Sequence, residues 1–211
     1  MLASWYTPHM RILPANSKSI QQAIAILQDG GVVCHATETC YGLACDLSNK
    51  RAVQRLFDLK IRPREQPVSG LFSSLEQIQE YVQWTPRAQA LGTTHLPGPL
   101  TLIVHLRWDA PRTLYPSLTN STTIGVRLSS HPIAQQLTSG FGSPISTTSA
   151  NLHSHPNTYS LQEVIDQFQN HTIQPELFLD SGELPRVPPS TIIDLTGEQT
   201  VSVRKGEIEL S

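Results

Sequence analysis

Residues 100–104, read LTLIV, form a nearly continuous apolar run, and this run constrains the fold more than any other stretch of the chain. A strand with apolar side chains on both faces is typical of the centre of a sheet that is covered on both sides. The chain therefore needs other elements packed above and below a sheet.

Helix signals alternate with such runs. Ser17 is expected to cap a first helix, which Gly30-Gly31 ends. A second helix should begin after Ser48 or Asn49 and must stop by Pro63, because the residue before a proline is disfavoured in the helical region. Further helix starts are expected at Ser73 (a capping box with Glu76), Thr85-Pro86, His131-Pro132 and Ser160 (a capping box with Glu163).

The remaining strands are expected between these helices. They are residues 32–34, 67–72, 124–128, 144–148, 191–195 and 201–204, the last two joined as a hairpin by TGEQ. The segment HATETCYGLACD, 35–46, reads as a loop. Strands interleaved with helices predict an α/β fold with a twisted mixed sheet, because the tail strands pair locally. We expect a single domain over residues 1–211.

Composition and charge exclude several functional classes. The chain has 211 residues, a net charge of -2 and a pI near 6.4, which argues against a broad nucleic-acid-binding surface. No apolar run reaches the ~20 residues that span a bilayer, and the N-terminal MLASWYTPHMRIL lacks a signal-peptide pattern, so a cytoplasmic location is expected.

The three cysteines, Cys34, Cys40 and Cys45, match no common zinc spacing and are expected to be buried, reduced thiols. His153 and His155 lie in a polar loop without further ligands, so no protein-held metal is expected.

Cations concentrate in one part of the chain. Six of the 15 Lys and Arg fall between residues 50 and 64, and the segment KIRPR, 60–64, holds three of them. Such a run usually marks a solvated face. Lys60, however, follows Val53 by seven residues on the apolar stripe of the second helix, where an ammonium must either extend to solvent or meet a buried anion. Arg62 and Arg64 flank Pro63 and present planar donors suited to phosphate oxygens.

Polar side chains also follow a strand in Ser146-Thr147-Thr148-Ser149-Ala150-Asn151, where they could form a simple turn or a binding loop. The common phosphate-binding motifs GxxxxGK[ST] and GxGxxG are absent from the sequence, as is the hydrolase elbow GxSxG.

Six blocks in order resemble one known family. TETCYG, KIRPR, LPGPLTLIV, TIGVRLSSHPIA, STTSANL and the tail STIIDLTG…VRKG are similar to the YrdC/Sua family of threonylcarbamoyl-adenylate synthases, over residues 18–206. The chain resembles the short bacterial form of that family. The resemblance implies a twisted α/β sheet around a concave, positively charged cavity.

The resemblance also implies a reaction. Family members join L-threonine, bicarbonate and ATP into threonylcarbamoyl-adenylate and release pyrophosphate. Mg²⁺ would enter with ATP rather than sit in a protein cage. The product would pass to a tRNA threonylcarbamoyl transferase complex, so contact with tRNA would be indirect or weak, and no membrane is involved.

The family signature K-x-R with S-x-N is matched by Lys60, Arg62, Ser149 and Asn151, and the resemblance assigns roles to further residues. Lys60 and Arg62 would be catalytic. The residues expected to bind ATP are Arg62, Gln66, Thr123, Ser149, Asn151, Asn157 and Arg204. The residues expected to bind threonine are Thr39, Arg127, Thr147 and Ser190.

The chain departs from the family pattern at Ala36, Gln66 and Leu71, none of which belongs to the signature. The related YciO-like group lacks both signature pairs, so their presence favours the synthase. The main alternative is a relative that binds RNA or a nucleotide without making the adenylate. A carbamoyl-handling hydrolase or transferase is a third possibility, although such proteins carry additional domains.

Overall fold

The computed structural model describes residues 11–119 and 121–209; the first ten residues of MLASWYTPHMRIL, the segment to which the signal-peptide expectation refers, lie outside them. Six helices occur in the described residues: α1 Ser17–Gln28, α2 Lys50–Lys60, α3 Leu75–Tyr81, α4 Pro86–His95, α5 Pro132–Phe141 and α6 Leu161–Phe168. Ten strands alternate with them: β1 Arg11–Pro14, β2 Val33–Ala36, β3 Tyr41–Ala44, β4 Ser69–Leu71, β5 Leu100–His105, β6 Thr123–Arg127, β7 Ile145–Ser149, β8 Leu177–Asp180, β9 Thr191–Asp194 and β10 Val201–Arg204.

The strands form one mixed sheet in the order β1-β8-β2-β3-β7-β4-β6-β5-β9-β10. Strand β5, which contains the LTLIV run, lies inside the sheet between antiparallel β6 and parallel β9. The predicted tail hairpin is present, because β9 and β10 pair antiparallel with an irregularity between Ser202 and Arg204. The α/β class, the mixed sheet and the interior position of the apolar run are therefore confirmed.

Two apolar clusters cover the sheet. The smaller cluster includes Ile20 and Leu27 of α1 and Leu137 of α5, and these two helices pack together. The larger cluster contains the buried face of α2, including Leu56 and Phe57. This arrangement places α2 against the sheet with its last turn near the central strands. No helix among the described residues is long and apolar enough to cross a membrane.

Helix α2 ends as its sequence predicts. Its cap is Asn49, whose side chain accepts hydrogen bonds from the backbone N–H groups of Arg51 and Ala52. It stops at Lys60, because Ile61 adopts a left-handed conformation with φ of 54°. That turn separates Lys60, which continues the buried stripe, from Arg62, which leaves the helix.

Two helix starts were predicted one residue away from the observed cap. Asn16, not Ser17, caps α1, since its carboxamide oxygen accepts from the N–H groups of Lys18 and Ser19. The Ser73–Glu76 capping box is also wrong: Ser74 is the cap of α3 and accepts from Gln77 N–H, while the Gln77 side chain accepts from Ser73 N–H. Neighbouring capping residues make such shifts of one position common.

The segment 35–46, predicted as a loop, instead contains the end of β2 and all of β3, which pair as an antiparallel hairpin. Both strands are fully buried, so neither shows the alternation of apolar and polar residues that identifies a half-exposed strand. The polar turn Thr37–Cys40 between them concealed the hairpin. The prediction also missed β1 and β8, which pair parallel to each other.

Candidate active site

A concave cavity of about 210 Å³ opens above the centre of the sheet. It is lined by the β2–β3 turn, the segment after α2, strands β4, β6 and β7, and the chain around Ser190. Three guanidinium groups, those of Arg62, Arg127 and Arg204, line it, and no carboxylate does within the part of the chain that the structure describes. The predicted residues that it brings together are Thr39, Arg62, Arg127, Thr147, Ser149, Asn157, Ser190 and Arg204.

Lys60 is buried at the end of α2, beneath the S-x-N loop that follows β7. Its ammonium donates hydrogen bonds to the backbone oxygens of Ser149 (2.5 Å) and Asn151 (2.6 Å) and to Asn151 Oδ1 (3.1 Å). Burial, together with the positive charge of Arg62, lowers the pKa of Lys60 to about 7. The ammonium thus contacts backbone and carboxamide oxygens, neither solvent nor a buried anion.

The S-x-N loop is held by further contacts. Ser149 Oγ donates to Asn151 Oδ1 at 2.5 Å, and the Asn151 amide donates to the backbone oxygen of His155. The backbone oxygen of Lys60 accepts from His153 N–H at 2.9 Å, which ties the loop to the helix end a second time. Lys60 and the S-x-N pair therefore form one hydrogen-bonded unit beside the cavity, whereas Arg62 contacts only the backbone oxygens of Gln66 and Pro67.

The three cations of KIRPR have different environments. Lys60 is buried, and Arg62 is half-buried in the cavity wall, where it donates to the backbone oxygens of Gln66 (3.1 Å) and Pro67 (2.7 Å). Arg64 is on the surface and pairs with Asp58 at 2.6 Å. The solvated-face interpretation thus holds for Arg64 and fails for Lys60.

Arg127 lies at the end of β6 and is nearly buried, with 10% of its side chain exposed. Its Nη2 donates both to Thr39 Oγ1 at 2.8 Å and to Glu38 Oε1 at 2.6 Å. Glu38 also accepts a short hydrogen bond from Ser129 Oγ. Although burial raises the pKa of Glu38, the positive charge of Arg127 and these hydrogen bonds lower it overall, so the carboxylate is ionised.

Arg204 reaches the cavity from the last strand. It donates to the backbone oxygen and the hydroxyl of Ser190, both at 2.9 Å, and that hydroxyl also lies 3.0 Å from Thr101 Oγ1. Burial and the nearby positive charge of Arg127 lower the pKa of Arg204. Both guanidinium groups line the cavity.

Several predicted residues lie outside the cavity lining. The Gln66 side chain is exposed, and only its backbone oxygen contacts Arg62. Thr123 begins β6 opposite His105 and does not line the cavity. Lys60 and Asn151 lie behind its surface. Within residues 11–119 and 121–209, no group of three or more His, Cys, Asp or Glu side chains could hold a metal ion.

Glu38 is the functional candidate that the sequence reasoning missed. It is the middle residue of T-E-T, in which only Thr39 was predicted to bind a substrate. Two sequence features could have drawn attention to it: an acidic residue in a predicted polar loop, and a single arginine within a predicted strand elsewhere in the chain. Nothing in the sequence indicated that the two side chains meet.

Comparison with known proteins decides the family. The model Sua5_yciO_yrdC, described as "Telomere recombination", matches residues 25–206. The chain belongs to the Sua5/YciO/YrdC family. The resemblance drawn from the six blocks is thereby confirmed.

Individual relatives agree with this membership. A threonylcarbamoyl-AMP synthase of Photobacterium profundum is 35% identical over 158 residues, which cover 72% of this chain and 83% of that protein. The crystal structure of Pyrococcus abyssi Sua5 complexed with L-threonine superposes with a TM-score of 0.81 at 31% identity, over 93% of this chain and 56% of that chain. Escherichia coli YciO superposes with a TM-score of 0.80 at 29% identity, over 94% and 95% of the two chains. The fold alone therefore does not distinguish Sua5-like from YciO-like members of this family. The distinction must come from the side chains of the cavity.

Proposed function

We propose that the protein is a threonylcarbamoyl-AMP synthase, which joins L-threonine, bicarbonate and ATP into threonylcarbamoyl-AMP and releases pyrophosphate. The observation that carries this proposal is the hydrogen-bonded unit of Lys60 with Ser149 and Asn151 beside a cavity with three arginines. Relatives that bear the synthase name support it. The product would supply a tRNA threonylcarbamoyl transferase complex, and the enzyme would act in the cytoplasm.

Binding roles follow from charge and position. Arg62 and Arg204 would bind the triphosphate, because each has backbone or hydroxyl partners and none of its contacts within the described chain is a carboxylate. Asn157, which lines the cavity, would complete the nucleotide side with Ser149. Mg²⁺ would travel with the triphosphate, since the cavity lining supplies no carboxylate to it.

The amino-acid side of the cavity would be built from hydroxyl groups and one arginine. Arg127 would contact the threonine carboxylate, and Thr39, Thr147 and Ser190 would surround the rest of the molecule. Gln66 and Thr123 have no support from the cavity lining and keep only the roles that family resemblance gives them.

The chemistry needs no protein nucleophile. The threonine amine adds to CO₂ with loss of a proton, or to bicarbonate with loss of water, to form a carbamate. A carbamate oxygen then bonds to the α-phosphorus while the bond from that phosphorus to pyrophosphate breaks. The protein would position the reactants and balance the developing negative charge, as in other phosphoryl-type transfers.

Detection of threonylcarbamoyl-AMP by mass spectrometry tests the proposal. ATP, threonine and bicarbonate together should yield the adenylate and one pyrophosphate, and omission of threonine or bicarbonate should abolish both. Equal pyrophosphate release with ATP alone would indicate a pyrophosphohydrolase instead. An RNA-binding relative without synthase activity is not favoured, because the cations of the cavity are few and localised rather than spread over a surface.

A further inference from the structure

Glu38 compensates the positive charge of an arginine that lines the cavity. It is the one residue of the T-E-T turn whose side chain meets Arg127 as an ion pair, and 13% of that side chain is exposed. It does not line the cavity, whereas Arg127 and Thr39 do. Glu38 therefore contacts Arg127 without itself lining the cavity.

The contacts to Arg127 limit what its guanidinium can offer. Nη2 has two N–H bonds, and these are directed to Glu38 and Thr39. A guanidinium has two edges that can bind a carboxylate or phosphate through two parallel hydrogen bonds. Nη2 belongs to both edges. Nε is buried and meets no acceptor among the described residues, so Nη1 is the nitrogen left for a ligand in the cavity.

Arg127 differs from the other two arginines of the cavity because a carboxylate compensates its positive charge. Arg62 and Arg204 donate to neutral oxygens and form no ion pair within the residues that the structure describes. Arg127 is neutralised by Glu38. A polyanion entering the cavity is thus attracted to Arg62 and Arg204, and it gains less at Arg127 although that group lies nearby.

Building on the proposed function, we propose that Glu38 is a specificity-determining residue that reserves the Arg127 subsite for an amino-acid carboxylate by preventing phosphate groups from binding there. The Glu38 carboxylate accepts a hydrogen bond from Nη2 of Arg127 and compensates the positive charge of the guanidinium. A zwitterionic amino acid still binds through Nη1 and the surrounding hydroxyls, whereas a triphosphate or pyrophosphate is confined to the nucleotide side.

Glu38→Gln tests this directly, because the amide keeps the shape and can still accept from Nη2 while the charge is lost. Inorganic pyrophosphate should inhibit the wild type in competition with ATP only. In Glu38→Gln it should also compete with threonine, with an inhibition constant lowered about tenfold. ATP at high concentration should inhibit this variant, and added threonine should relieve that inhibition. A residue with a purely structural role would not create this competition.

Two further variants complete the experiment. Ser129→Ala removes the hydroxyl that fixes Glu38, and it should move the inhibition in the same direction by a smaller factor, which keeps the test available if Glu38→Gln does not fold. Asp109→Asn neutralises an exposed ion pair with Arg107 and should behave like the wild type.

Calorimetry of pyrophosphate binding gives a readout that needs no turnover: a second site should appear in Glu38→Gln alone. If wild type and Glu38→Gln both bind one pyrophosphate, and threonine never competes with it, the proposal is overturned. Should wild-type protein instead form no threonylcarbamoyl-AMP, the proposed function fails, and the pyrophosphate stoichiometry still decides the role of Glu38.

Discussion

The ammonium of Lys60 donates hydrogen bonds to both oxygens of Asn151, the backbone oxygen at 2.6 Å and Oδ1 at 3.1 Å. The two residues are 91 positions apart, yet this contact joins Lys60 to the S-x-N pair. Lys60 therefore holds the loop that carries Ser149 and Asn151, in addition to the catalytic role that we propose for it.

Lys60→Ala should lower kcat by about 10²–10³, or ~3–4 kcal/mol of transition-state stabilisation, because a preorganised charge is lost. Asn151→Ala should lower it as well, and the double variant should be little worse than Lys60→Ala, since residues that act as a unit are not additive. Steady-state kinetics on folded proteins measure this, with exposed Lys18→Ala as the control. Additive losses would show that the two residues act independently.

Arg62→Ala should raise the KM for ATP more than the KM for threonine, because Arg62 lines the cavity and is proposed to bind the triphosphate. Arg62→Lys should not restore ATP binding, since an ammonium lacks the planar donors of a guanidinium. Arg87→Ala is a matched control: Arg87 also donates to two backbone oxygens, those of Gly197 and Glu198, away from the cavity. If Arg62→Ala keeps more than about a third of wild-type kcat/KM, a loss under ~0.7 kcal/mol, the assigned role is wrong.

Nucleotide binding should be coupled to proton uptake by Lys60. Its pKa is lowered to about 7 by burial and by Arg62, so most of the molecules carry a neutral Lys60 at pH 8. A bound triphosphate favours the charged form, which raises this pKa and draws a proton from solution. Calorimetry of ATP binding at pH 8, in buffers with different ionisation enthalpies, should show the uptake in the wild type. The same uptake in Lys60→Met would assign the proton to another group.

Acid should destabilise the protein through His35. This residue is fully buried, and burial lowers its pKa from about 6.5 to about 4. Because the unfolded chain binds the proton more readily, the free energy of unfolding falls as pH drops from about 6.5 to about 4, by roughly 3 kcal/mol for this group. Urea denaturation at pH 7 and pH 5 should show a smaller pH effect in His35→Leu than in the wild type. Equal pH effects in the two proteins would count against a neutral, buried His35.

The cysteines should be dispensable for turnover. Cys34, Cys40 and Cys45 are free and buried, as predicted, and burial raises the pKa of each thiol. Single replacements by Ala should leave kcat within a few-fold of wild type and cost about 1–2 kcal/mol of stability through small cavities. Activity assays and thermal denaturation check both parts. Abolished turnover in a folded Cys40→Ala protein would point to a thiol function, since Cys40 lines the cavity.

Local patterns in the sequence were enough to predict the α/β layers, most of the helix positions and the end of α2. These patterns are apolar spacing, capping residues and a proline. It also placed Lys60 on the buried stripe of α2, seven residues after Val53. The blocks that match the family lie in order along the chain, so they too were visible without a structure.

The atoms that these side chains contact depend on the folded arrangement of the sheet. The hairpin of β2 and β3 was hidden because both strands are buried on both faces and therefore carry no alternating pattern. Arg127 and Glu38 are 89 residues apart, and their contact exists because the sheet brings the β2–β3 turn to the end of β6. Sequence spacing cannot reveal such a pair, since it arises from the order of strands across the sheet and not from the order of residues along the chain.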